Sequence, residues 1–197
     1  PGYYDQSRWY TWYIGREREA QLFELNSLGL QEGMEHFRAG RYERAAVAWM
    51  GAARANETDA ASRVHAAHAL FAVGRYDVAE KMLARAFELA PRLATSHYDI
   101  RRDYGKPKDF NGHWDRLKAY VARNPTDAKA VTMLGYVLFY TTGPASAHRA
   151  LERAAQLDDA DGFIARLLEI SRAVSPQGDT PRSKKAARRQ PAPGGRR

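Results

Sequence analysis

The chain has 197 residues, 44% of them hydrophobic, a formal net charge of +8 and no cysteine. That apolar share belongs to a folded protein and excludes a chain disordered throughout, while no run approaches the roughly 18 apolar residues of a membrane span. Without cysteine there is neither a disulfide scaffold nor a thiolate metal site, and the compartment stays open.

Residues 1–25 form an aromatic-rich segment with Tyr3, Tyr4, Trp9, Tyr10, Trp12 and Tyr13 in its first thirteen positions. Trp9, Trp12 and Tyr13 share one face of a helix, which fits a cap on the first end of a helical stack. A flexible adhesive segment and a peptide for a partner's groove are the alternatives. Arg16 to Leu25 reads as a helix leading into the next region.

Across 26–161 the sequence repeats every 34 residues, most visibly where Gly40-Arg41-Tyr42 returns as Gly74-Arg75-Tyr76. That period predicts stacked helix pairs. Blocks 26–59, 60–93, 94–127 and 128–161 align Ala45, Ala79, His113 and Ala147 at one place, and Ala52, Ala86, Tyr120 and Ala154 at another. Between them fall Trp49, Leu83, Leu117 and Leu151. Small residues flanking a bulky one let two helices approach closely. The place held by Gly33, Ala67 and Gly135 carries Arg101 in the third block, so its helices are expected to be splayed or rotated. There Pro107 should end the first helix early and Asp109 cap the second. Residues 162–174 alternate Phe163, Ile164, Leu167, Leu168 and Ile170 with polar positions, the pattern of a capping helix. From 175 to 197 Pro, Gly, Lys and Arg replace any periodicity, which predicts a disordered basic tail.

The pattern of Gly then Tyr at the turn, Ala, a large apolar residue, Ala and a closing Pro resembles the tetratricopeptide repeat (TPR) of bacterial type. Block 60–93 is the fullest copy, with Ala67, Gly74, Tyr76, Ala79, Leu83, Ala86 and Pro91. The resemblance implies an all-α superhelical solenoid of about four helix pairs, non-catalytic, binding a peptide or helix of another protein on its concave face. Transferred place by place, it assigns that face Leu30, Met34, Phe37 and Arg38, then Val64, His68 and Phe71, then Tyr98, Arg102 and Lys106, then Thr132, Tyr136, Phe139 and Tyr140. Tyr98, Arg102, Tyr136 and Tyr140 are the expected central contacts, and Tyr136 and Tyr140, at i and i+4, are better surface candidates than the phenylalanines. Phe37, Phe71 and Phe139 can instead turn inward.

His65 and His68 stand three apart on one helix, a chelating spacing, but no neighbouring carboxylate or cysteine in the sequence completes a ligand set, and neither metal nor cofactor is expected. No catalytic grouping or phosphate-binding loop is present, so an enzyme is not expected. Arg182, Lys184, Lys185, Arg188, Arg189, Arg196 and Arg197, against Asp179, account for six of the eight net positive charges. The tail is therefore a candidate contact for a polyanion, either nucleic acid or anionic lipid, and the rest of the chain is nearly neutral. The bias to Arg and Ala suggests a bacterial gene, with cytoplasm and cell envelope both open. An upstream segment before Pro1 and the oligomeric state are open as well.

Overall fold

The computed structural model describes residues 6–158 and 162–174, with side chains from Gly15 onward. The expectations for the aromatics at 3–13 and for the basic tail lie outside those side chains.

Among the described residues eight α-helices follow one another: α1 (Gln6–Arg38), α2 (Tyr42–Ala55), α3 (Ala60–Ala72), α4 (Tyr76–Leu89), α5 (Pro107–Arg123), α6 (Ala128–Thr141), α7 (Pro144–Leu157) and α8 (Gly162–Val174). The fold is an all-α solenoid. No helix among the described residues is long and apolar enough to cross a membrane.

The two Gly-Arg-Tyr turns adopt one geometry. Gly40 and Gly74 take φ of +76° and +79°, a conformation that costs a residue with a Cβ. In each, the glycine N–H donates to the carbonyl three back (Phe37, Phe71) and the arginine N–H to the carbonyl five back (His36, Leu70), so the last carbonyls of α1 and α3 are satisfied. The tyrosine then starts the next helix, with Tyr42 and Tyr76 buried. Asp59 caps α3 through Ala61 N–H at 2.9 Å, and Asp127 caps α6 through Ala130 N–H at 3.1 Å.

Within each pair, packing follows the small–large–small pattern. Ala45, Trp49, Ala79, Leu83, Ala86, Leu117, Ala147, Leu151 and Ala154 are all inaccessible to solvent. Gly33 makes room for Trp49, since a Cβ there would lie 2.3 Å from the indole Nε1; that nitrogen donates to Leu30 O at 3.1 Å. Gly135 receives Leu151 in the same way.

The third block departs from the pair pattern. No α-helix leads into α5; residues 91–106 instead form a crossover with two 3-10 turns, Pro91–Thr95 and Ile100–Asp103. Pro107 does not end a preceding helix but opens α5, and Lys106, not Asp109, occupies the cap position. Asp109 accepts a hydrogen bond from Tyr42 Oη at 3.0 Å. Helix α5 thus lies against the ends of the earlier pairs: Arg116 donates to Ala72 O at 2.8 Å, and Tyr120 packs edge-on to Tyr76. His113 and Tyr120, too large for the alanine places, point into this aromatic junction. Burial, then Arg116, pushes His113 down to about 4, so the ring is neutral, and its Nδ1 shares a hydrogen bond with Tyr104 Oη at 3.1 Å. Meanwhile α6 packs directly on α4, and α8 closes back on α4 with Phe163 against Phe87 at 5.2 Å between rings.

Candidate functional site on the inner face

The crossover occupies much of the face expected to be open. Tyr104 packs on Phe37, with ring centres 4.7 Å apart, and Gly105 is pressed so closely onto Arg38 O that a Cβ would lie 2.1 Å from it. Tyr98 stacks on His68, nearly parallel at 5.8 Å. Ile100 and Tyr104 enter the core.

This placement divides the fourteen expected groove residues. Phe37, Phe71, Thr132 and Phe139 are buried: Phe37 among Tyr42, Trp49 and Tyr104, Phe71 against Phe110 and His113. Leu30 and Met34 are half-buried against the core, while Arg38, Arg102 and Lys106 are exposed. Tyr136 and Tyr140, expected at the surface, are 2% and 6% accessible. Tyr140 Oη donates to Leu93 O of the crossover at 2.7 Å, and Tyr136 Oη meets His68 Nε2 of α3 at 2.9 Å.

What remains open is a cleft of about 220 Å³ between α3, α6 and the crossover, lined by Ala61, Val64, His65, Phe87, Leu93, Ser96, Tyr98, Tyr136 and Tyr140. Four of the expected residues, Val64, Tyr98, Tyr136 and Tyr140, meet here. His65, Phe87, Leu93 and Ser96 complete the wall. A larger cleft of about 450 Å³ lies between α4 and α8 beside Phe87, Pro91, Phe163 and Arg166. Glu88 and Arg166 supply its charged groups.

At the floor of the smaller cleft the structure corrects one sequence expectation. The carboxylate missing from the neighbourhood of His65 and His68 is supplied by Asp103, at the end of the crossover. Its Oδ2 lies 3.6 Å from His65 Nδ1 and 3.4 Å from His68 Nδ1, and it accepts a short hydrogen bond from Tyr98 Oη. Neither Nδ1 makes a hydrogen bond. Burial alone would raise the Asp103 carboxyl, but the two imidazoles and the Tyr98 hydroxyl hold it well below the usual carboxylate range. Burial pushes His68 down, against the opposing pull of Asp103. Trp49 stacks on the outer histidine, His65, at 5.0 Å.

Among known proteins, no family model matches the chain, and no curated protein matches it. Solved structures do align with it, among them one described as MamA MSR-1 C2, at 22% identity and a TM-score of 0.32, covering 75% of this chain and 85% of that one.

Proposed function

We propose that the chain is a non-catalytic, TPR-like scaffold that binds a peptide or helix of another protein, with the inner-face cleft as the pocket for one apolar anchor side chain. The observation that carries this reading is the cleft itself. Its volume of about 220 Å³ falls below the roughly 300–1,000 Å³ of small-molecule sites and suits a single large side chain. Val64, Phe87, Leu93 and the tyrosine faces provide apolar walls, and the rim offers His65 and Ser96 for polar contacts with a peptide. An aromatic-lined pocket of this kind gives large contact area at small entropic cost.

The reading is tested by panning a random-peptide display library on the full chain and measuring the selected peptides by calorimetry. Peptides sharing one bulky apolar residue are expected, and Val64→Arg, which places a charge in the cleft wall, should weaken them by at least tenfold. Peptides that bind Val64→Arg equally well would overturn the assignment. Capture that instead vanishes in high salt and on neutralising Arg182, Lys184, Lys185, Arg188 and Arg189 would move the function to polyanion binding by the tail.

A further inference from the structure

Beneath the cleft, three potential ligand atoms face one another: His65 Nδ1, His68 Nδ1 and Asp103 Oδ2, all within 4.8 Å. We propose that they form a three-ligand site for a divalent transition-metal ion of the zinc class, with a fourth coordination position open to the cleft. The inference does not depend on the protein-binding reading.

Distances carry the first part of the argument. Zinc binds imidazole nitrogen and carboxylate oxygen at about 2.0–2.2 Å, so tetrahedral ligand atoms stand about 3.3–3.6 Å apart. Asp103 Oδ2 lies 3.4 Å and 3.6 Å from the two nitrogens. A charge-assisted hydrogen bond would draw an imidazole to about 2.7–2.9 Å of the carboxylate. Neither ring approaches that closely, and both Nδ1 atoms are buried without a hydrogen bond. His68 is 2% exposed, and its Nδ1 faces Asp103 Oδ2 at 3.4 Å. Leaving such a group unsatisfied is costly, which a bound ion would relieve.

The surroundings supply the second part. A metal-bound histidine ordinarily has its other ring nitrogen held by a hydrogen bond, which fixes the tautomer. His68 Nε2 is 2.9 Å from Tyr136 Oη, so a proton on Nε2 leaves Nδ1 free as a ligand. Tyr98 Oη orients the carboxylate, and Trp49 and Tyr98 stack on the two imidazoles, limiting ring rotation. Two imidazoles with one carboxylate favour zinc, nickel or cobalt over the hard cations magnesium and calcium, which prefer all-oxygen shells. His65 lines the cleft, so water can complete the shell from that side. The ion would also tie the crossover to α3, because Asp103 comes from the former and both histidines from the latter.

The test uses the full chain stripped with a chelator and titrated with Zn²⁺, followed by calorimetry, and with Co²⁺, followed by its visible absorption. One ion per chain and the intense bands of four-coordinate Co²⁺ are expected. His65→Gln and Asp103→Asn should each weaken binding more than about 100-fold, and Tyr136→Phe by about 10- to 100-fold, the range for orienting partners. His97→Gln, on the exposed part of the crossover, should leave affinity unchanged. Thermal melts in chelator identify any variant that fails to fold; His65, at the cleft edge, is the substitution least exposed to that failure. No stoichiometric uptake by the wild-type chain, or equal affinity in folded His65→Gln, would overturn the site.

Discussion

At the scale of single residues, two glycines in neighbouring helices show why the same residue type has opposite consequences. Gly33 faces the indole of Trp49, and a methyl group there would sit 2.3–2.5 Å from three atoms of a rigid, fully buried ring. The indole cannot retreat without losing its hydrogen bond to Leu30 O. Gly51 lies in the interior of α2 with nothing within 4 Å of a built Cβ. Gly33→Ala should therefore destabilise the protein by about 1–3 kcal/mol through overpacking. Gly51→Ala should stabilise it by about 0.4–1 kcal/mol by restricting the unfolded chain. Denaturant unfolding of both variants checks the pair; an equal effect from the two would show that Trp49 is not seated as described.

At the scale of elements, the crossover at 91–106 is where sequence pattern and structure part. The turn glycines, the alanine places and the bulky residue between them were legible because each reports a local demand: positive φ, close helix approach, or filled space. A 34-residue spacing reports only that the fourth block resumes in phase. It does not require that every block spend its residues on two helices, and here 3-10 turns consume the length of one. Arg101 at a place otherwise small marked the departure but not its form. It is exposed, pairing with Asp99 at 2.7 Å and donating to Thr141 O at 2.9 Å. The His65/His68 pair was legible as helical spacing; Asp103 was not, since no periodic signal links residues 35 apart across a crossover. Its seat depends on Gly105, whose Cα is packed against Arg38 O. Gly105→Ala should lift the crossover from α1, lowering stability by about 1–3 kcal/mol. Amide exchange at 96–105 should accelerate while exchange in the α6–α7 pair changes little. Uniform acceleration throughout would mean that the crossover and the helix pairs open as one unit.

At the scale of the whole molecule, the displaced α5 leaves the stack dependent on its last helix. Because α6 rests directly on α4, the path of the solenoid turns tightly enough for α8 to reach α4 as well as α7. Phe163, Ile164, Leu167 and Leu168 are each 5% accessible or less, and Phe163 covers Phe87, itself a wall of both clefts. Burying four such side chains contributes about 6–12 kcal/mol, which is comparable to the roughly 5–15 kcal/mol net stability of an entire domain. Deleting residues 162–197 should consequently abolish the cooperative thermal transition rather than merely shift it, with dye binding to the exposed apolar faces of α4 and α7. Leu167→Ala, a milder loss at a site with no solvent access, should cost about 2–5 kcal/mol and leave a single, lower transition. Calorimetry distinguishes this from an additive stack, in which each pair depends only on its neighbours and removal of the last helix would leave the α1–α4 transition intact. The contact between α8 and α4 closes that open chain of neighbours, which is why a single cooperative transition is expected.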